Sequence, residues 1–177
     1  LRTMHNSPKM GKEANVYCSD ELPKRYDFMY EGYEPQDFEF KTVVAVDVAD
    51  PKLLGKNLEH YSDKVELCID HHISNTGYAK RTLVESYAAA ACQVIFKLLS
   101  TQKLTECDAM IAKCLYTGIA TDTGCFKFDS CTSETHAAAA ELMKFDIGAG
   151  KINRRMFDQK SRARIAVEQH VLGSMEY

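Results

Sequence analysis

TVVAVDVADP, residues 42–51, runs through β-branched and apolar side chains until it meets Asp47, then stops at Pro51. That is the pattern of a buried strand in a parallel sheet, with acids left at its carboxyl end. VELCIDHH, residues 65–72, repeats the design and ends on Asp70, His71 and His72. Between the two, PKLLGKNLEHYSDK opens on a proline suited to a first helical turn and spaces Leu54 and Leu58 four apart. The unit therefore reads strand, helix, strand, which is a parallel crossover.

Working outward, YAAAACQVIFKLL puts Ala88, Ala91, Cys92, Ile95 and Leu99 on one helical face. Thr105 and Asp108 have capping-box spacing ahead of a second helix that carries Ile111, Cys114, Leu115 and Gly118. Both helices are expected to cover the sheet. In GIATDTGCFKFDS, Asp122 stands among Thr121, Thr123 and Gly124, and the alternating Phe126 and Phe128 predict a loop entering a short strand. From Ser133 the chain is helix-rich, with an alanine-dense ETHAAAAELMKF, a break at IGAGK and a polar stretch with Arg154, Arg155, Lys160, Arg162 and Arg164. Those basic residues alternate with Asp158, Glu168 and apolar positions, so they read as a solvated helix face or a linker. The fold class expected is α/β, with a mostly parallel sheet flanked by helices.

The composition narrows the function. At 177 residues, with 45% hydrophobic and 27% charged side chains, the chain is long enough for one domain with a substantial core. A net charge of −3 provides no basic field that would hold long DNA by counterion release, yet leaves room for a small anion held by metal. Seven cysteines without a CxxC pair, several of them in expected helices, suit a reducing compartment, so a cytoplasmic location is expected. No apolar run approaches the roughly 20 residues that span a bilayer, and no membrane association is expected.

Asp47, the Asp70-His71-His72 run and Asp122 fall at three loop mouths, each on the carboxyl side of an expected strand or near a helix end. That edge of an open α/β sheet is where ligands bind. Mixed carboxylates and imidazoles suit a hard or borderline divalent ion, manganese first, and a pair of ions sharing a carboxylate suits phosphoryl displacement. Taken singly, each residue has a plainer use. Asp47 could cap a helix, Asp122 could form an Asx-turn, and a strand-end histidine is more often hydrogen-bonded than metallated. In an extended chain His71 and His72 point to opposite sides, which suggests one ligand and one substrate contact. Cys68 and Cys125 read as packing residues, and His60, His136 and His170 as structural.

VDVADP, IDHHISN and YTGIATDTGCFKF followed by SETH, in that order, resemble the DHH phosphoesterase superfamily, over a stretch from about Asn15 to the C-terminal helices. Within it, TDTGCFKF, ETHAAAAELM and INRRMFDQKS look most like the bacterial branch that degrades nanoRNA and dephosphorylates 3′-phosphoadenosine 5′-phosphate. The resemblance implies a two-metal phosphoesterase, with Mn2+ as the first choice and Mg2+ or Co2+ as others. His5, Asp47, His71 and Asp122 would be metal ligands, Asp47 as the bridge. His72 would face the substrate phosphate as the catalytic and substrate-binding residue, and Asp70 would orient the histidine from behind. Attack on phosphorus by a hydroxide bridging the metals is implied. The implied substrate is a short oligoribonucleotide or a phosphorylated nucleotide, and a homodimer is compatible with it.

The resemblance weakens at the amino-terminal end. The family's first motif continues from histidine and proline to Asp-x-Asp, a glycine and a helix. Here HNSP, residues 5–8, is followed directly by KMGKEANVYC, and both aspartates are absent. KMGKEANVYC looks like the end of that helix and the strand after it. Residues 1–160 are expected to form the catalytic domain and 161–177 a connector helix toward the second, glycine-rich domain usual in the family, whose motif does not occur before HVLGSMEY. Relatives that act on cyclic dinucleotides, pyrophosphate or polyphosphate are alternatives within the same chemistry. An inactive nucleotide-binding regulatory module is an alternative of another class, and a structural zinc protein fits poorly without paired cysteines.

Overall fold

The computed structural model describes residues 13–102 and 107–176. Its sheet has three parallel strands in the order β1 (Val43–Val46), β2 (Val65–Asp70) and β3 (Arg81–Val84). β2 is central, with Ala45 opposite Cys68 on one side and Ile69 opposite Leu83 on the other. Both faces of β2 are covered, as its continuous apolar run requires. Val65 and Cys68 pack with Ala45, while Ile69 and Val46 lie against the main helical core.

That core is built by α1 (Ala91–Gln102), α2 (Ala109–Asp122), α3 (Ser133–Met143) and α4 (Ala149–Asn153), which runs on into a single π turn at Arg154–Asp158. Leu115, Ile119 and Leu142 are its largest fully buried apolar side chains. Asp108 caps α2 by accepting from the Ile111 amide at 2.8 Å, and Thr132 and Thr135 form the capping box of α3. α1 and α2 approach closely because residue 118 is glycine: a Cβ there would collide with Cys92 Sγ. α5 (Arg162–Gly173), capped by Ser161, has no buried residue. Among the described residues no helix is long and apolar enough to cross a membrane, and no disulfide joins the cysteines.

The α/β class and the parallel crossover follow the expectation, and three local readings do not. Residues 51–64 form two short 3-10 turns, Pro51–Leu54 and Glu59–Lys64. Gly55 separates them at φ 80°, ψ 158°, outside any right-handed helix, so two leucines four apart could not sustain one. Phe126 and Phe128 do not form a strand. Gly124, Cys125 and Phe126 are all left-handed, at φ 57°, 63° and 63°; the turn sends the Phe126 ring onto Tyr116 and His136. The expected helix end and strand at KMGKEANVYC are absent from residues 13–18, which have no regular structure. Asn15 instead holds that stretch by exchanging hydrogen bonds with the Gln36 backbone at 2.7 and 2.9 Å. β3 is a strand the sequence reading did not anticipate, and Thr105 lies outside the described residues.

Candidate functional site

Parallel strands deliver their carboxyl ends to one edge, and there β1 and β2 hand over Asp47 and Asp70. The Asp47 amide donates to Ile69 O at 2.9 Å, the last rung joining the two strands. Its own backbone then turns left-handed, at φ 63°. Aspartate is one of the few residues that adopts this conformation routinely, and such strained positions gather at functional sites.

Asp70 is fully buried and both its oxygens are engaged. Oδ1 accepts from the backbone amides of His71 at 2.7 Å and His72 at 3.2 Å and from His72 Nδ1 at 2.7 Å. Oδ2 accepts from Asn75 Nδ2 at 2.6 Å. Burial pushes this carboxyl up, but the bonds from Asn75, His72 and the two amides outweigh it and hold the group below its ordinary range. Asp70 is therefore an organiser that folds the chain back after β2. In consequence the two histidine rings lie side by side, with centroids 4.4 Å apart, and not on opposite sides as an extended chain would place them.

The turn brings both rings to Asp47. His71 Nε2 lies 3.4 Å from Asp47 Oδ1 and 3.2 Å from Asp122 Oδ2; His72 Nδ1 is 3.7 Å from Asp47 Oδ1. Asp122 arrives as the final residue of α2, 51 positions beyond His71 in sequence. Asp47, Asp70, His71 and His72 offer ligand atoms all within 4.8 Å of one another. Asp70 spends its oxygens on the hydrogen bonds just described, so the open donors are Asp47, Asp122, His71 Nε2 and, on the far side of its ring, His72 Nε2. A cleft lined by Tyr26, Met29, Ala91, Thr117 and Thr121 opens beside Asp47 and Asp122.

The His71 ring has one nitrogen engaged and one that could hold a metal. Its Nδ1 lies 3.0 Å from Ala88 O; a carbonyl only accepts, so Nδ1 carries the proton and Nε2 is left with the lone pair in the neutral ring. Nε2 is buried and has no hydrogen bond of good geometry, although two carboxylates stand within ion-pair range. An orphaned nitrogen between two carboxylates fits a divalent cation, for which such buried groups are otherwise rare. Without one, Asp122 and then Asp47 favour the imidazolium against the opposing effect of burial, and raise the His71 pKa to about 10.

Asp47, Asp70, His71, His72 and Asp122 thus meet at one place. His5 lies outside the described residues. Asp70 orients the ring of His72, whereas His71 is oriented by the Ala88 carbonyl. Two contributors escaped the sequence reading: Asn75, whose Oδ1 also accepts from the Gly77 amide at 2.8 Å, and Ala88. The Asn75-Thr76-Gly77 turn signature after a strand-end acid could have revealed the first. A backbone carbonyl leaves no signature in sequence.

Two curated relatives are about a third identical to the chain over the residues that align. "Probable bifunctional oligoribonuclease and PAP phosphatase NrnA" from Streptococcus mutans is 32% identical over 68% of this chain and 38% of its own length. "Bifunctional oligoribonuclease and PAP phosphatase NrnA" from Thermus thermophilus is 31% identical over 83% of this chain and 45% of its own length. The chain thus spans less than half the length of either. The crystal structure of an exopolyphosphatase-related protein from Bacteroides fragilis superposes with a TM-score of 0.79 over 90% of this chain and 52% of that one, at 19% identity, which bears on the fold. The DHH family N-terminal domain matches residues 2–119, and the chain belongs to the DHH family.

Proposed function

We propose that the chain carries the catalytic domain of a metal-dependent phosphoesterase that hydrolyses short RNA oligonucleotides, 3′-phosphoadenosine 5′-phosphate, or both. The observation that carries this reading is the orphaned His71 Nε2 between Asp47 and Asp122, at the strand-end edge where α/β folds bind ligands. The names of the NrnA relatives support the substrate class.

In this reading Asp47, His71 and Asp122 hold one divalent ion, with Mn2+ the first choice and Mg2+ or Co2+ alternatives. Asp47 also serves a second ion, to which His5 contributes. Bound ions supply a nucleophile at neutral pH and neutralise charge on the phosphoryl oxygens. The chain's own residues do the rest. Asp70 holds the His72 ring through Nδ1, which leaves Nε2 to meet a substrate phosphate. Burial of His71 keeps water from competing for its coordinating nitrogen. In the same reading residues 1–160 belong to the catalytic domain, and α5 lies within the connector, residues 161–177.

The absence of the two first-motif aspartates after His5 and Pro8 favours a second reading, a nucleotide-binding regulatory module that retains the fold without turnover. Purified chain, Mn2+ and ribonucleotides of two to five residues separate the two readings. Release of mononucleotides is expected; binding without release at any metal concentration would establish the regulatory module instead.

A further inference from the structure

The His71 ring is steered by a peptide group that has no functional side chain of its own. Ala88, Ala89 and Ala90 form a buried bend between β3 and α1. The peptide joining Ala88 to Ala89 is a rigid plane with its carbonyl on one side and its N–H on the other. The carbonyl holds His71 Nδ1 at 3.0 Å. The N–H donates to Gln93 Oε1 at 3.1 Å. Gln93 is only 8% exposed, and its Oε1 also accepts from Thr135 Oγ1 at 3.0 Å. Thr135 is fully buried and locked in the capping box of α3. A single amide oxygen thus ties the start of α1 and the start of α3 to the peptide that orients His71.

We propose that Gln93 is a positioning residue for the metal site: by fixing the rotation of the Ala88–Ala89 peptide, it aims the Ala88 carbonyl at His71 Nδ1 and so points Nε2 at Asp47 and Asp122. The inference rests on the functional reading above for the existence of the metal site, whereas the aim of the His71 ring is tested independently of it. Partners that orient a ligating histidine typically contribute about 10–100-fold to metal affinity. Gln93 touches neither metal nor substrate and acts only through Ala88.

The test compares Gln93→Met, which fills the space without an acceptor, with Gln93→Glu, which restores one. In the metal-free chain, 1H–15N spectra should show a protected His71 Nδ1 proton and a slowly exchanging Ala89 amide in the parent and in Q93E, both lost in Q93M. Calorimetric Mn2+ titration should show Q93M weakened about 10–100-fold and Q93E close to the parent. A Q93M chain that retains the His71 proton and the parent's affinity overturns the proposal. So does equal loss in both variants with intact fold, since restoring the acceptor would then not matter. If Q93M does not fold, the parent decides: Mn2+ should raise protection of the Ala89 amide, because coupling is reciprocal, and unchanged protection overturns the proposal. A parent chain that binds no Mn2+ refutes the functional reading, while the His71 proton in the metal-free variants still tests Gln93.

Discussion

Replacing Asp70 by asparagine changes one oxygen to an amide nitrogen in a fully buried site with four donors aimed at it. The single remaining oxygen can serve either the Oδ1 group, which is the His71 and His72 amides and His72 Nδ1, or Asn75 Nδ2. Keeping the larger group turns the new NH2 toward the NH2 of Asn75. Asn75 cannot escape by flipping its amide, because its Oδ1 already accepts from Gly77. One charge-assisted bond worth about 1.5–3 kcal/mol is lost and a buried donor is left unsatisfied at about 1–3 kcal/mol. Relief of the buried charge offsets part of this, so D70N should cost about 3 kcal/mol, a large share of the stability of an ordinary domain. Urea denaturation of metal-free parent and variant at pH 7 measures it. The pH dependence supplies a second check. The Asp70 pKa is lowered from its ordinary 3.8, so its ionised form contributes stability above that value, and the contribution is lost as pH falls through the folded pKa. The gap between parent and D70N should therefore narrow in acid. A variant within about 0.5 kcal/mol of the parent at pH 7, or a gap that does not shrink below pH 4, would refute the organising role of Asp70.

Further outcomes follow from the same geometry. His71→Ala should lower Mn2+ affinity about 10–100-fold or more, while His72→Ala should leave the ion bound and lower turnover; titration calorimetry beside a hydrolysis assay separates them, and identical losses of metal binding would contradict the division. Because His71 holds its proton up to about pH 10 without metal, Mn2+ must displace that proton. Affinity should rise about tenfold per pH unit below that value, with about one proton released per ion, as read by calorimetry in buffers of different ionisation enthalpy. The raised pKa also means that His71 stabilises the metal-free chain fully below 6.5, and that this contribution disappears as pH rises through about 10. Gly118→Ala should destabilise the chain by about 1–3 kcal/mol through collision with Cys92 Sγ, measured as a lowered Tm, and Cys92→Ala in the same chain should recover most of it.

The sequence by itself determined the parts whose signal is local. β1 and β2 announce themselves as apolar β-branched runs ending in acids, α1 and α2 by helical spacing, and α3 by its alanine-dense run. Asp47, Asp70, His71, His72 and Asp122 were all legible as strand-end or helix-end polar residues, since a parallel sheet exposes that edge whatever its detail. Tertiary structure decided what depends on partners distant in sequence. RTLV, residues 81–84, is a strand because β2 offers it a ladder, not because four residues with a charge at one end demand it. Leu54 and Leu58 could not carry a helix through the backbone of Gly55. The approach of Asp122 to His71 needs α2 to slide against α1 at the one position without a Cβ. Whether the two histidines diverge or converge was settled by a buried carboxylate gathering four donors, and the aim of His71 by a carbonyl of an alanine. Long-range packing and backbone hydrogen bonds have no signature at the residues that make them, and for this reason the list of site residues could be read from the chain while their arrangement could not.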